Sequence, residues 1–494
     1  MTDYPFRKIL IANRGEIACR VIRTVRAMGL TSVAVHHAVE AGARHVRDAD
    51  EVVELTGETP VAAHLDIAQI IAAAQVTGAQ AIHPGYGFLS ENPAFAKAVA
   101  EAGLVFIGPD EATIRLMGDK ISSRDFAASH GVPVAPSVMP TGDLDAFTAE
   151  VEKIGFPVLI KASAGGGGKG MNIVRSAKDL AQAARIAASE AQRYFGDGRV
   201  YAELYVERPR HIEVQVLGDG DGEVIHLFER ECSIQRRFQK IVEEAPSSQL
   251  SHEKAAEICD AAVWLAKAAK YRNAGTVEFI LGADGRFFFL EMNTRLQVEH
   301  PVTEDITGID LVRAQIDVAA GRGLPGPQDQ VTKTGHSIEC RICAENPDQN
   351  FMPETGRIDF LHIPVAPWLR FEHGLDQGRA VTSDFDPMLA KLVAHGATRA
   401  EATDRAIAAL KDLAILGVTT NVDYLIRVLD SAAFREARLH TGFIEEQADA
   451  LSPHPLTPDE DDRHLVAAAL GFREFRDMVF GVPALQAAIG QWRN

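Results

Sequence analysis

Arg286-Phe-Phe-Phe-Leu-Glu291-Met-Asn-Thr-Arg295-Leu-Gln-Val-Glu-His300 runs from an intensely apolar segment straight into two acids, two amides and an arginine. In an extended strand, side chains two residues apart share a face. Glu291, Asn293 and Arg295 are therefore expected to project together, with Leu290, Met292 and Thr294 on the other side. Three phenylalanines belong in a buried strand, and carboxylates beside them are costly unless a metal or a base neutralises them. A strand end turning polar as it meets solvent accounts for one such charge, but not for a run of them. Glu278, in Thr276-Val-Glu-Phe-Ile280, lies one Gly282-Ala-Asp-Gly285 turn away, and that turn has hairpin chemistry. The hairpin predicts Glu278 and Glu291 on adjacent strands with Asn293 beside them. Oxygen ligands of this kind suit Mg2+ or Mn2+, as two ions, held jointly with substrate phosphates.

A second stretch, Phe156-Pro-Val-Leu-Ile-Lys161-Ala-Ser-Ala-Gly165-Gly-Gly-Gly168-Lys169-Gly170-Met-Asn-Ile-Val174, reads as strand, glycine loop, strand. Consecutive glycines remove every Cβ, so the backbone can close over an anion and aim N–H groups at it. No Gly-Lys-Ser/Thr follows, and no helix follows the glycines, so this is neither a Walker loop nor a dinucleotide fingerprint. A flexible linker does not sit between apolar strands flanked by lysines, so the segment reads as a phosphate-covering flap. Gly167, Gly168, Lys169 and Lys161 would meet phosphates, with Lys120 supplying further charge. Glu203-Leu204-Tyr205-Val206 leaves a strand end and can offer backbone groups to an adenine edge. The whole set describes ATP held between two sheets with metals on its terminal phosphates.

At 494 residues the chain is expected to hold about three domains of ~150 residues. Its formal charge of −18 argues against a nucleic-acid partner, which needs a basic footprint. No apolar run approaches the ~18 residues that span a bilayer, and the opening residues lack signal-peptide character, so a cytoplasmic location is expected. Cys340-Arg-Ile-Cys343 is a lone CxxC whose thiols diverge in a strand, which disfavours zinc. Residues 1–115 alternate strands and helices, as in a parallel doubly wound sheet. Residues 116–330 follow as an α+β unit that turns antiparallel after Tyr201, with a lid over 132–203. A third α+β unit spans 331–448. An acidic, proline-bearing linker and a helical tail occupy 449–494.

Together these residues carry a resemblance. The chain resembles the biotin carboxylase component of biotin-dependent acetyl-CoA and acyl-CoA carboxylases, enzymes with an ATP-grasp fold. The resemblance rests on Ile11-Ala-Asn-Arg-Gly-Glu16, His83-Pro-Gly-Tyr-Gly-Phe-Leu-Ser-Glu-Asn92, Met117-Gly-Asp-Lys120 and the glycine hairpin. It continues through Arg230-Glu-Cys-Ser-Ile-Gln-Arg-Arg237 with Lys240 and Glu243-Glu-Ala-Pro246, then Glu291–Thr303 and Glu339-Cys-Arg341. The resemblance implies an α/β and α+β architecture, an ATP-grasp domain behind an N-terminal doubly wound domain, a mobile lid and a C-terminal α+β domain. It implies a ligase that makes carboxyphosphate from ATP and bicarbonate and then carboxylates biotin. By the same resemblance Lys240, Arg295, Gln297 and Val298 position bicarbonate, and Glu299 takes its proton. Arg341 and Tyr86 meet biotin, and His211 with Glu203–Val206 contacts the nucleotide. Glu278, Glu291 and Asn293 hold the metals. The implied partners are a biotin carboxyl carrier protein or domain and a carboxyltransferase subunit, in a homo-oligomer. No Ala-Met-Lys-Met loop occurs, so biotin is expected in trans, on another polypeptide or a further C-terminal part. Phe238 stands where many relatives have histidine, and ring packing is expected to replace a nucleotide contact. Two alternatives are a biotin-independent ATP-grasp ligase of the carbamoyl-phosphate type and a non-catalytic ATP-binding scaffold.

Overall fold

Short apolar strands, each followed by a helix, build the N-terminal part of the chain. In the computed structural model, which describes residues 4–139, 144–162, 172–195, 198–453, 457–460, 462–463 and 465–466, they form a five-stranded sheet. Its order is Glu51–Leu55, Thr31–His37, Lys8–Ile11, Ala81–His83, Val105–Phe106, and every pairing is parallel. Helix Gly15–Ala27 buries Ile17, Val21, Ile22 and Val25 against it, the face its apolar spacing predicts. The edge strand Glu51–Leu55 went unpredicted, because two of its five residues are acidic and only Leu55 is buried.

An eight-stranded antiparallel sheet is the largest among the described residues. Its order is Phe287–Asn293, Arg272–Leu281, Arg210–Asp219, Val224–Arg236, Gln239–Ala245, His336–Cys343, Met388–Gly396, Leu369–His373. The sheet runs straight across the Pro/Gly-rich segment 321–327, because Gln239–Ala245 pairs with His336–Cys343, Glu243 opposite Glu339. Side chains from both flanking units therefore share one surface. Strand Val224–Arg236 is longer than its sequence suggests: Glu229-Arg230-Glu231 looks like a polar terminus, yet all three residues are buried and the strand continues to Arg236. A four-stranded sheet, Ser137–Val138, Val200–Leu204, Val158–Ala162, Asn172–Val174, packs with helices Leu144–Ile154 and Ala177–Phe195 around a small core of its own, including Phe147, Val151, Ile160 and Leu180.

Residues Met1–Leu451 make one compact unit and Ser452–Asn494 a second. Of the expected helical tail, Leu465 and Val466 are described and exposed, and residues 467–494 lie outside the described residues. Among the described residues no helix is long and apolar enough to cross a membrane. The cysteines are unbridged; Cys340 packs in a core with Ile338 and Ile342, away from the face that carries Arg341 and Cys343.

Buried histidines and carboxylates set the acid limit of this fold. Burial pulls His45, His83 and His373 down to about 4. Glu40 and Glu244 are held at about 2, burial being outweighed by His64 and Arg14 for the first and by His336 and Arg399 for the second. All five pKa values are depressed on folding, so each group's stabilisation is present above its unfolded pKa and lost as pH falls through the folded one. Stability to urea is expected to fall as pH drops from about 6.5 to 4, and again from about 4.5 toward 2, in line with reference pKa values. Raised carboxyl groups such as Glu243 act in the opposite sense over part of this range, so the check is on the rings themselves: His45, His83 or His373 titrating near 6.5 by NMR in the folded protein would contradict these assignments.

Candidate active site

The acidic pair is set by a one-residue irregularity. Strand Phe287–Asn293 pairs with Arg272–Leu281 so that Glu291 faces Glu278 and Asn293 faces Thr276, but Phe289 faces Phe279, with the register shifting in between. Leu290 is the extra residue of a bulge, which re-aims the side chains that follow. Phe287, Phe289 and Met292 consequently share one apolar core. Glu291 and Asn293 turn to the opposite face, beside Glu278. Asn293 Nδ2 donates to Glu278 Oε1 at 2.9 Å. Glu291 is half-buried, and burial together with the Glu278 charge raises its pKa. The pair and the Asn293 amide form an all-oxygen donor set that fits a hard divalent cation. Asn293 turns its NH2 toward Glu278 and its Oδ1 toward Arg295, at 3.3 Å, so acting as a ligand requires the amide to rotate.

Lys240 is the centre of the site. It follows the turn at Arg237-Phe238, and its Nζ donates to Glu213 at 2.5 Å, Glu278 at 2.9 Å and Glu299 at 2.6 Å. Burial disfavours its charge, but three carboxylates outweigh that and hold the amine well above its ordinary pKa. Arg230, completely buried, backs the cluster through Glu213 at 2.5 Å, Gln215 at 2.8 Å and Thr303 at 2.9 Å.

Glu299 caps helix His300–Thr307 with its backbone, and its side chain makes no capping bond. The carboxylate is thus free to enter the cluster: Lys240 holds Oε1, and Arg341 NH2 holds Oε2 at 2.9 Å. Burial raises its pKa, but Lys240, Arg341 and Arg230 hold it well below the usual carboxylate range. Arg341 also donates through Nε to Glu243 at 2.5 Å. Glu243, buried and crowded by Glu299, is pushed up to about 7. The strand ends at Asn293, so Arg295 lies just beyond it in the loop. It still points into the site, donating to Glu91 at 2.7 Å and to Gln297 Oε1 at 3.0 Å. Gln297 Nε2 reaches Glu278 Oε1 at 3.2 Å, and the Val298 carbonyl accepts from Lys391 Nζ at 2.9 Å.

On the nucleotide side, His211 Nε2 lies 2.8 Å from Glu278 Oε2, and its Nδ1 pairs with Gln235 at 2.8 Å. Burial lowers its pKa, but Glu278 outweighs this and raises it. Lys161 Nζ donates to Glu203 at 2.6 Å, and Arg124 takes the other oxygen at 2.8 Å. The amides of Leu204 and Tyr205 donate to the carbonyls of Pro136 at 2.9 Å and Pro157 at 3.0 Å, so what these two residues could offer an adenine is their carbonyl oxygens. Lys120 begins helix Lys120–Ser129, exposed, with its charge felt at Glu291. Gly167, Gly168 and Lys169 lie outside the described residues. Tyr86 donates its phenol to Glu16, and the Arg341 charge reaches it.

Phe238 also departs from expectation. Its ring is 63% exposed at a turn where Arg237 and Phe238 both have positive φ, so it does not pack. Sequence reasoning did not assign Glu213, Arg230, Gln235, Glu243, Glu91, Glu16 or Lys391. For Glu213 there was a signal, since it shares a strand face with His211.

Three family models tile the chain. "Biotin carboxylase, N-terminal domain" matches residues 5–114, "Carbamoyl-phosphate synthase L chain, ATP binding domain" 119–326, and "Biotin carboxylase C-terminal domain" 339–446. The propionyl-CoA carboxylase alpha chain of Sus scrofa is 45% identical over 500 residues, covering 99% of this chain and 68% of that protein. The chain belongs to the biotin carboxylase family. The methylcrotonoyl-CoA carboxylase alpha subunit of Arabidopsis thaliana is 47% identical over 441 residues, 89% of this chain but 60% of its own length. The chain thus spans less than two thirds of that relative. Among solved structures, the biotin carboxylase domain of Hydrogenobacter thermophilus 2-oxoglutarate carboxylase, determined with MgADP and bicarbonate, superposes with a TM-score of 0.86. It is 44% identical, over 91% of this chain and 99% of that one. The Campylobacter jejuni biotin carboxylase in complex with a nucleotide also gives 0.86, at 40% identity over 89% of this chain and 99% of that one. The ATP-grasp architecture is the one these relatives share. The central segment alone matches a carbamoyl-phosphate synthase description; the two flanking segments make the assignment to biotin carboxylases.

Proposed function

We propose that the protein carboxylates biotin, using ATP and bicarbonate by way of carboxyphosphate, as the first half-reaction of an acyl-CoA or related carboxylase. The observation that supports this most is Lys240. One amine touches both Glu278, of the cation-binding pair, and Glu299, whose other oxygen is held by Arg341. The phosphate end and the bicarbonate end of the reaction would then lie within one side chain's reach. Bicarbonate is an anion and a weak nucleophile, so it needs cations to seat it and a base to deprotonate it. Lys240 and Arg295 seat it, Gln297 and the Val298 backbone orient it, and Glu299, already a carboxylate, accepts its proton. Arg341 then faces the oxygen of the biotin ureido group as charge develops there, with Tyr86 beside the ring. Glu278, Glu291 and Asn293 would hold Mg2+ or Mn2+, as two ions, to neutralise the ATP phosphates. Lys120, Lys161, Gly167, Gly168, Lys169, Glu203, Leu204, Tyr205, Val206 and His211 are the proposed nucleotide contacts.

Biotin is taken to arrive on a carrier protein or domain, with a carboxyltransferase subunit completing a homo-oligomeric assembly; that the relatives are alpha chains and alpha subunits supports a multi-subunit partner set. We also carry the domain division near 115, 330 and 448, supported by family-model limits at 114, 326 and 446, and a cytoplasmic location, though the propionyl-CoA carboxylase relative is named as mitochondrial. The test is steady-state turnover. ATP hydrolysis is expected to require bicarbonate and to rise with free biotin. Stimulation by ammonia or an amino acid instead would move the enzyme to the carbamoyl-phosphate type, and nucleotide binding without turnover would make it a scaffold.

A further inference from the structure

Glu299 is held at two points by two neighbouring cations on one sheet face. Arg341 and Lys391 are directly opposite each other on paired strands, His336–Cys343 and Met388–Gly396, so their side chains project together. Arg341 grips the Glu299 carboxylate at 2.9 Å. Lys391 Nζ, 2.9 Å from the Val298 carbonyl, grips the peptide group that immediately precedes Glu299. A peptide is planar, so fixing that carbonyl fixes the direction in which the Glu299 backbone leaves the loop.

Lys391 is also tied to the opposite wall. Its Nζ lies 3.2 Å from Glu16 Oε1, the same carboxylate that receives the Tyr86 phenol, and 5.9 Å from the Tyr86 ring centroid. Both charged residues are buried, Lys391 at 0% side-chain exposure and Glu16 at 4%. A carbonyl needs only a neutral donor, and burying an ion pair for that purpose is expensive. The pair makes sense when it does two tasks at once. It joins the loop 297–299 to the loop that carries Tyr86, although the two come from different parts of the chain.

We propose that Lys391 and Glu16 are positioning residues for biotin carboxylation, a buried ion pair that sets the Val298–Glu299 peptide and the Tyr86 phenol in fixed register. The assignment rests on the function proposed above. It predicts that disturbing the biotin side alters bicarbonate handling even when no biotin is present.

The experiment uses the full chain and reads bicarbonate-dependent ATP turnover, KM for bicarbonate and MgATP affinity. Lys391→Met is expected to lower kcat by about 10-fold to 10²-fold with MgATP affinity changed by less than about twofold, the pattern of misplaced chemistry and not of lost binding. The double variant Glu16→Gln/Lys391→Met removes both charges, so it is expected to recover wild-type thermal stability while keeping the slow kcat. Recovery of both stability and turnover in the double variant would overturn the proposal, as would an equal loss of MgATP affinity. Should the Lys391 variants fail to fold, Tyr86→Phe removes only one hydroxyl. Measured without biotin, it is expected to raise KM for bicarbonate severalfold, and an unchanged KM would overturn the coupling. Wild-type protein whose ATP turnover ignores bicarbonate would instead refute the function itself.

Discussion

Glu299→Gln is expected to cut bicarbonate-dependent ATP turnover by about 10²-fold or more while leaving MgATP affinity nearly intact, the scale of a positioned general base. The substitution keeps the size of the side chain and one acceptor oxygen. It removes the charge that balances Lys240 and Arg341, at 2.6 and 2.9 Å, and the oxygen that would take the proton. Arg295→Ala is expected to act in the same direction and to a similar extent. It deletes the guanidinium that spans Glu91, at 2.7 Å, and Gln297, at 3.0 Å, and so frees the loop that would seat bicarbonate. Neither residue contacts Lys161, Glu203 or His211 in this structure. Turnover kinetics combined with nucleotide titration checks both variants. A matching loss of nucleotide affinity would move these residues into the ATP site.

Lys240→Met is expected to abolish turnover and to destabilise the fold by about 3 kcal/mol, the cost of removing one partner from a buried ionic cluster. The amine satisfies oxygens of Glu213, Glu278 and Glu299 together. Without it each carboxylate keeps one cation: Arg230 for Glu213, His211 for Glu278, Arg341 for Glu299. The loss is therefore bounded. Adding Glu213→Gln to Lys240→Met removes one of the stranded charges and is expected to restore part of the urea midpoint without restoring turnover. If Lys240→Met unfolds at the wild-type midpoint, the amine is not balancing buried charge and the cluster is wetter than its burial indicates.

Much of this architecture was legible because its signals are local. Apolar alternation located the parallel strands, Gly/Asp turns located the hairpins, and acids and amides at the end of a phenylalanine run located Glu278, Glu291 and Asn293. What escaped detection depends on partners distant in sequence. The full length of strand Val224–Arg236 is hidden in the sequence because Arg230 looks like a surface residue until Glu213 and Thr303 are brought to it, at 2.5 and 2.9 Å. Lys391 gave no warning, since its partners Glu16 and Val298 are 375 and 93 residues away. Phe238 was misread for the opposite reason. An aromatic residue suggests packing, but a turn with two positive-φ residues holds it out in solvent. Even the Pro/Gly-rich segment 321–327 is bridged by a continuous sheet, because strand pairing leaves no mark in composition.

The bulge at Leu290 divides the strand into two regimes of constraint. Before it, odd positions face the interior: Phe287 and Phe289. After it, the interior face passes to the even position Met292, and the odd positions Glu291 and Asn293 become chemical. Parity, and not distance from the site, therefore decides what a substitution here costs. Changes at Phe289 or Met292 tax folding, while changes at Glu291 or Asn293 tax chemistry. The two kinds of residue can drift independently within one short strand. Leu290 is the residue that permits this switch: pairing it regularly in the ladder would put Glu291 on the Phe289 face, whereas leaving it out would keep Glu291 opposite Glu278.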